Sequence, residues 1–435
     1  MATQSPQWLA TSRLLRRTGF GTTGAAVDAA VDRPDYLTAA LAADPAADAG
    51  AQATPMPEFE LLVAPGKGAG ADARKTHNRA VTAQLDTLSQ WWLNRMASVE
   101  QPLHEKLTLL WHNHFATSAA KVRHATLMAE QNQKLRAGAL GDFRSLAYAM
   151  LTDPAMLRWL DGQQNTKKAA NENLSREFIE LFALGHGNGY TETDVREGAR
   201  ALTGWVIAKN GQASVVERRH DAGTKTVLGT SGDLDAASFC NAVLSRPESE
   251  RYVAGRLWRQ LASGSPPSEA ALARLVGAYG TGRDLKALTA AILSDAEFVS
   301  QPSSLVNTPV EWMVGLVRSL KVPLTRTSLT MVSQTLKNLG QQPFYPPDVG
   351  GWPSGQAWLS TAGAGVRLRA AATLASSGDM SAITDAAPPD RIDAAGYLLG
   401  IGAWTDQSAA ALRPLVDRPV ELVAVAANTP ENLTS

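Results

Sequence analysis

The sequence predicts a mainly α-helical protein, organised as one large domain over residues 1–435 with a small β-hairpin excursion near residues 214–229. Apolar residues recur at three- and four-residue intervals along most of the chain, as one buried helix face requires. Short β-like runs at 214–219 and 225–228 interrupt this pattern around a group of turn-forming residues. No fixed repeat is evident, so a solenoid is not predicted.

In chain order, helical spacing is present at 9–15 and 25–41, and it returns over 74–96. Between them, residues 44–73 are rich in Ala, Pro and Gly, which predicts a flexible loop. Further helices are predicted at about 103–115, 124–137, 143–152 and from Pro154, and helices resume from 233 to 339. The tail from about residue 371 is alanine-rich and predicted to be helical in parts.

Composition narrows the classes of protein. The chain has 41 basic and 41 acidic residues, so net charge favours neither a nucleic-acid partner nor an anionic membrane. The single cysteine, Cys240, cannot form an internal disulfide or a cysteine-based metal site. We interpret it as a small buried apolar residue in the run AASFCNAVL.

The N-terminal region bears on location. Arg16 and Arg17 resemble a twin-arginine export signal, but Thr18, Gly19, Phe20 and Gly21 follow them instead of an apolar stretch. No run approaches the roughly 20 apolar residues of a membrane-spanning helix. The sequence as written predicts a cytoplasmic protein, with export alongside a signal-bearing partner as the alternative.

Residues 171–205, NENLSREFIELFALGHGNGYTETDVREGARALTGW, predict an αα-hairpin. Gly185 can take the left-handed conformation that ends the first helix at Leu184. Thr191 and Asp194 form a capping-box pattern that begins the second helix, which extends to about Thr203. The first helix has an apolar side with Leu174, Phe178, Leu181 and Phe182 and a polar side with Glu172, Asn173, Arg176, Glu177 and Glu180.

The polar side of this hairpin has two interpretations. Glu172, Arg176 and Glu180 are four residues apart, as in a ladder of surface ion pairs. Alternatively, the carboxylates line a cleft for a metal, a sugar or an anionic substrate. In that case the catalytic candidates are Glu172, Glu177 and Glu180, and the substrate-binding candidates are Arg176, Arg196 and Arg200.

The run LLWHNHFATS contains the candidate metal ligands His112 and His114. Residues two apart on a helix point about 200° from each other, so the pair reaches one ion only if the helix ends at Trp111. The spacing places His114 inward and His112 towards the edge of the helix face. The alternative is that His114 is a core histidine with its hydrogen bonds satisfied.

Two loop motifs complete the candidate residues. His220 and Asp221 are predicted in the turn of the β-hairpin, as ordinary turn residues or as a general base with its neighbouring acid. The Pro- and Gly-rich segment 341–358 predicts a long ordered loop. Phe344, Tyr345, Trp352 and Trp358 either pin this loop to the helices, or Trp352 and Trp358 stack on a ring-shaped ligand with Asp348 as a polar contact. The sequence contains no nucleophile elbow, Walker loop or dinucleotide-binding turn.

Six blocks occur in order along the chain: LLRRTGFG, WHNHFATS, NENLSREFIELFALG, YTETDVREGARALTGW, HDAGTKTVLG and PPDVGGWPSGQAWLS. Together they resemble the bacterial family called domain of unknown function 1800, from about Leu14 to Arg369. The resemblance implies a single helix-rich domain of unassigned activity. Members often look exported, and their genes often lie beside those of domain of unknown function 1501, a family similar to the alkaline phosphatase and sulfatase superfamily. A protein of that family is therefore an expected partner.

Two functions from different classes follow. The first is a hydrolase-like or metal-assisted enzyme, with a divalent metal as its expected cofactor and a polar cleft formed by His112, His114, Glu172, Glu177, Glu180 and His220. In that cleft Glu or His is the general base, and Arg176 or Arg200 holds an anionic group. The second is a non-catalytic accessory protein, which acts with a phosphatase- or sulfatase-like partner or on a polysaccharide. A third interpretation makes the motifs purely structural.

Overall fold

A computed structural model describes residues 4–300 and 305–434, and helices dominate this part of the chain. The predicted mainly α class is therefore confirmed. Of the predicted helical run 233–339, residues 301–304 lie outside the described part, as do the two ends of the predicted domain, 1–3 and 435. None of the described helices combines the length and the apolar character needed to cross a membrane.

The helices before the αα-hairpin are α1 (Pro6–Thr18), α2 (Gly24–Val31), α3 (Tyr36–Ala42), α4 (Ala49–Ala53), α5 (Ala71–Ser98), α6 (Leu103–His114), α7 (Ala119–Val122), α8 (Ala125–Gly138), α9 (Phe143–Leu151) and α10 (Pro154–Trp159). The predicted loop at 44–73 contains α4, and Asp48 caps that helix with a 2.9 Å bond from the Ala51 N–H. Beyond α4, the Thr54 carbonyl accepts a 3.0 Å bond from Trp91 on α5.

The αα-hairpin is present, and it contains one feature that the sequence did not predict. Its first arm begins as α11 (Asn173–Glu177) and continues as a π-helix over Phe178–Ala183. Gly185, with φ +93°, follows the end of this arm. The Thr191 and Asp194 capping box then begins α12 (Glu192–Ala201), as predicted.

Two small antiparallel hairpins occupy the predicted β region. β1 (Trp205–Ile207) pairs with β2 (Ala213–Val215), and β3 (Lys225–Val227) pairs with β4 (Thr230–Gly232). The β excursion is confirmed, but the predicted turn at His220 is wrong. Residues 213–215 pair with the preceding strand, β1, and not with the following strand, β3. His220 therefore lies between the two hairpins, after a short 3₁₀ turn.

The later helices are α13 (Ala236–Leu244), α14 (Pro247–Leu261), α15 (Glu269–Tyr279), α16 (Leu285–Ser294), α17 (Ala296–Ser300), α18 (Pro309–Ser319), α19 (Arg326–Asn338), α20 (Thr361–Ser377), α21 (Ser381–Thr384), α22 (Arg391–Leu398), α23 (Asp406–Leu412), α24 (Pro419–Ala426) and α25 (Pro430–Leu433). The long loop between α19 and α20 is held by Arg367 on α20, which donates a 2.7 Å bond to the Trp358 carbonyl.

Helix α6 lies between two apolar clusters. Trp111 belongs to a cluster with Phe115, Phe143 and the π-helix, whereas Leu109 belongs to a cluster with α5, α18 and the loop before α20. Because α6 is covered on both sides, almost all of its side chains are buried. A buried ion-pair group reinforces this junction, since Glu105 on α6 binds Arg95 and Arg136 at 2.7 Å each.

Candidate functional site

Three consecutive residues at the end of α6 bind two distant parts of the chain. His112 Nε2 accepts a 3.2 Å hydrogen bond from the Phe344 N–H, and Asn113 Oδ1 accepts a 2.7 Å bond from the Trp352 N–H. His114 Nε2 donates to the Phe182 carbonyl in the π-helix at 2.8 Å. The WHNH motif therefore joins the hairpin motif to the Pro- and Gly-rich loop.

Both histidines lie in the core, with exposed fractions of 1% for His112 and 2% for His114. The predicted edge position of His112 is wrong, because the second apolar cluster covers that side of α6. Burial lowers the pKa of each ring to about 3, so both are neutral at pH 7. Their Nε2 atoms engage Phe344 and Phe182 separately, and no group of three or more metal-binding side chains is found in residues 4–300 and 305–434.

The loop before α20 is tied to α6 at close range. Gly351 has φ +88°, and a Cβ atom there would lie 2.4 Å from Asn113 Oδ1. Trp352 and Trp358 are buried against the helices, which corresponds to the pinning interpretation. Asp348, in contrast, is exposed at the surface of the same loop.

The polar side of the hairpin is built around Arg176. Its guanidinium contacts Glu172 at 3.0 Å, Glu180 at 3.3 Å and Glu192 of α12 at 2.7 Å. These contacts correspond to the ladder interpretation. Arg196 does not join the group; it bonds the Thr193 hydroxyl at 3.1 Å.

Two further carboxylates, Glu177 and Asp348, lie beside this ladder. We call them, together with Glu180 of the ladder, the acidic surface. Burial raises the pKa of Glu177, repulsion by Glu180 and by Asp348 adds to this effect, and the charge of Arg176 opposes it. The hairpin and the loop before α20 therefore place like charges close together. Neither Glu177 nor Asp348 forms an ion pair within the described part of the chain.

The other end of α12 forms a separate site. Arg200 Nε lies 2.7 Å from one oxygen of Asp221 and its Nη2 lies 3.2 Å from the other, while Nη1 binds Glu197 at 2.9 Å. The hydrogen bonds from Arg200 hold the pKa of Asp221 at about 2, so this carboxylate stays ionised. Lys225 is fully buried, and its ammonium group donates to Asp233 at 2.7 Å and to the Asp221 carbonyl.

A hydrogen bond to Thr203 fixes the position of the His220 ring. Its Nδ1 lies 3.0 Å from the Thr203 carbonyl oxygen, so Nδ1–H is the donor, and in the neutral ring Nε2 is the nitrogen with the free lone pair. Nε2 lies 4.0 Å from an oxygen of Asp233. Gly204 has φ +95°, and a Cβ atom there would lie 3.1 Å from His220, so this close approach favours glycine. The ALTGW and HDAGTK motifs thus interlock.

His220 lines a cavity of about 330 Å³, within the size range of small-molecule sites. We call it the His220 cavity; its polar lining includes Thr203, Trp205, Glu217, His220, Asp233 and Asp235. The sequence patterns did not identify Glu217, Asp233 or Asp235. These three carboxylates lie within 15 residues of His220 in the sequence, and this proximity could have identified them. They were missed because the pairing of the β segment between them was predicted incorrectly.

The predicted site residues therefore fall into three places instead of one cleft. Arg176 joins Glu172 and Glu180 to Glu192 in the first turn of α12, with Glu177 and Asp348 beside this group. Arg200 in the last turn of α12 binds Asp221, next to His220, and His112, His114, Trp352 and Trp358 are core residues. Glu192 and Arg200 are eight residues apart on α12, about 12 Å along the axis. The His220 cavity is the polar cavity among these.

The described part of the chain is mainly helical, and its motifs meet at the end of α6 and around a polar cavity. The profile of the family described as "Protein of unknown function (DUF1800)" matches residues 13–433. The chain belongs to this family, as its motifs indicated. No curated protein and no solved structure has a significant match to it.

Proposed function

We propose that the His220 cavity is the active site of a hydrolase-like enzyme in which His220 is the general base. The observation that supports this proposal is the hydrogen bond between His220 Nδ1 and the Thr203 carbonyl. It orients the ring so that, in the neutral imidazole, Nε2 is the unprotonated nitrogen that a general base requires.

The proposed reaction uses side chains of the cavity alone. Nε2 of His220 takes a proton from a water molecule, whose oxygen forms a bond to the electrophilic atom of the substrate. The bond to the leaving group then breaks, and the imidazolium returns its proton to that group. Asp233, whose oxygen lies 4.0 Å from Nε2, stabilises the imidazolium while it exists.

The charges around the cavity suggest the class of substrate. Glu217, Asp233 and Asp235 line it, and Lys225 compensates one of these carboxylates. Two of the three candidate cations for an anionic substrate are already occupied, because Arg176 binds three carboxylates and Arg200 binds two. We therefore propose a neutral or positively charged polar substrate in place of the anionic one.

The test is a panel of neutral and cationic esters, amides and glycosides. We expect His220→Gln to lower the rate of hydrolysis by about 10²- to 10⁴-fold, the usual contribution of a general base. His186→Gln is the matched control, because His186 is an exposed histidine at the other end of α12. Full activity of His220→Gln, or no hydrolysis of any panel member by the wild type, would contradict the proposal.

The acidic surface supports a second candidate function. Glu177 and Asp348 carry like charges and form no ion pair in the described part of the chain, so they would attract a cationic segment of another protein. We propose that a phosphatase- or sulfatase-like protein of domain of unknown function 1501 binds here, so that the chain acts as its accessory protein. Such binding would be compatible with catalysis in the His220 cavity.

Pull-down with a purified protein of that family tests this second candidate. Glu177→Gln combined with Asp348→Asn should weaken binding, and added salt should weaken binding by the wild type. Asp417→Asn, which removes an exposed carboxylate on the C-terminal region, should bind normally. Equal binding by all three proteins would contradict the accessory role of the acidic surface.

A further inference from the structure

We infer that a group of basic side chains around the start of α8 is a binding site for phosphate groups. The group comprises the cations Arg123, before α8, and Arg158, on α10, together with the imidazoles of His77 on α5 and His124 before α8. It lies outside the His220 cavity and outside the acidic surface, so the inference is independent of the proposed hydrolase.

The cations of this group are held close together. Arg123 donates a 2.8 Å hydrogen bond to the Asn78 side chain, which joins the turn before α8 to α5. Burial, followed by the nearby charges of Arg158, His77 and Arg123, lowers the pKa of His124 to about 4. Helix α10 packs against both α7 and α8, which brings Arg158 to the same place.

No carboxylate compensates this charge. Arg123 and Arg158 form no ion pair within residues 4–300 and 305–434, although the chain as a whole has equal numbers of acidic and basic residues. The buried Arg136, in contrast, is paired with Glu105. Cations that lie together without a carboxylate partner raise the local affinity for an anion.

Unsatisfied polar atoms are concentrated at the same place. His124 Nδ1, Thr126 Oγ1, Arg158 Nε and Trp159 Nε1 are buried and have no hydrogen-bond partner among the described residues. His124 is the N-cap residue of α8, yet its side chain does not cap the helix. Buried polar groups normally find partners, and the start of a 14-residue helix adds free N–H groups and a positive dipole. A tetrahedral oxyanion supplies acceptors for arginine and for these N–H groups.

The surface next to the group extends the same charge. An open groove of about 680 Å³ follows one face of α5; Arg74, Lys75 and Arg79 line it beside Asn78, and Asp86 is the one carboxylate in its lining. None of these three cations forms an ion pair within the described chain. A phosphorylated small molecule would use the cations around α8 alone, whereas a polyphosphate chain would also contact this face of α5.

Calorimetric titration with inorganic phosphate at low salt tests the site. We expect saturable 1:1 binding that weakens roughly tenfold or more in Arg158→Gln, because one charge-assisted hydrogen bond is lost. Arg326→Gln removes the same charge from an exposed position on α19 and should bind phosphate as the wild type does. Thermal melts establish that each variant is folded, and Arg158→Lys is the second variant if Arg158→Gln is not.

A parallel titration with tripolyphosphate identifies the source of the phosphate group. If tripolyphosphate binds more tightly than phosphate, and Arg74→Gln combined with Arg79→Gln reduces its affinity, the site is assigned to a polyphosphate chain. Equal affinity for the two probes assigns it to a small phosphorylated molecule. Absence of saturable phosphate binding by the wild type, or equal weakening in Arg326→Gln and Arg158→Gln, would overturn the inference.

Discussion

The Thr203 carbonyl and the His220 imidazole are 17 residues apart in sequence and 3.0 Å apart in space. This contact makes one tautomer of His220 dominant and leaves its Nε2 at the edge of a polar cavity. The contact depends on Gly204, which lets the segment after β2 return against the end of α12. It is the geometric basis of the proposed general base.

Substitution of Gly204 should disturb both stability and the position of His220. Gly204→Ala combines the cost of a left-handed backbone, about 1 to 2 kcal/mol, with a Cβ contact at 3.1 Å. Gly187→Ala is the matched control, because Gly187 has φ +77° but a Cβ atom there would have no neighbour within 4 Å. Urea unfolding should show the larger loss for Gly204→Ala, and only that variant should lose hydrolysis. Equal losses of stability would show that backbone strain alone is responsible.

Substitution of Lys225 and substitution of Asp233, which form an ion pair, should destabilise the fold to different extents. Lys225 is fully buried whereas the Asp233 side chain is 58% exposed. Asp233→Asn leaves a buried ammonium group without its carboxylate and should destabilise the fold strongly, towards the roughly 3 kcal/mol typical of such losses. Lys225→Met leaves only a solvated carboxylate and should cost less. Thermal or urea unfolding of both variants measures this order, and the reverse order would contradict it.

The anchor of the loop before α20 should be Asn113. Asn113→Ala leaves the Trp352 N–H without its acceptor and should cost about 1 to 3 kcal/mol in the free energy of unfolding. Asn338→Ala removes a side-chain bond at an exposed position on α19 and should change stability by less than about 0.5 kcal/mol. If the two variants unfold at the same urea concentration, the loop does not depend on this bond.

The buried histidines should make stability dependent on pH. The folded pKa of His112 and His114 is about 3, below the unfolded value near 6.5, so the unfolded chain binds more protons between these limits. Their contribution to stability is complete above pH 6.5 and is lost as the pH falls towards 3. When the free energy of unfolding is measured with urea at several values between pH 7 and pH 5, it should depend less steeply on pH for His112→Gln than for the wild type. His186→Gln should retain the wild-type slope, since His186 is 82% exposed.

Local sequence signals predicted many elements because their causes are local. Thr191 with Asp194 specified a capping box, and Gly185 specified the end of the preceding arm. The π-helix over 178–183 was not predicted, because its apolar residues also satisfy an ordinary helical pattern. His112 was predicted at an edge because a helical wheel assumes one buried face, whereas α6 is buried on two.

The candidate site was less predictable than the fold. His220, Asp221 and Arg200 were identified as candidates, and the structure brings them to one end of α12. Glu217, Asp233 and Asp235 join them only because β1 pairs with β2 and β3 pairs with β4, a register that the sequence did not specify. The expected single cleft required contacts between distant segments, and periodicity carries no information about those contacts.

The dependence of kcat/KM on pH, measured for the wild type and for His220→Gln, tests the central claim most directly. A substrate from the hydrolysis panel is used, with melts to establish that both proteins are folded at each pH. If His220 is the general base, the wild-type profile has a rising limb that disappears in His220→Gln, because no imidazole remains to be deprotonated. An identical rising limb in both proteins would contradict the claim.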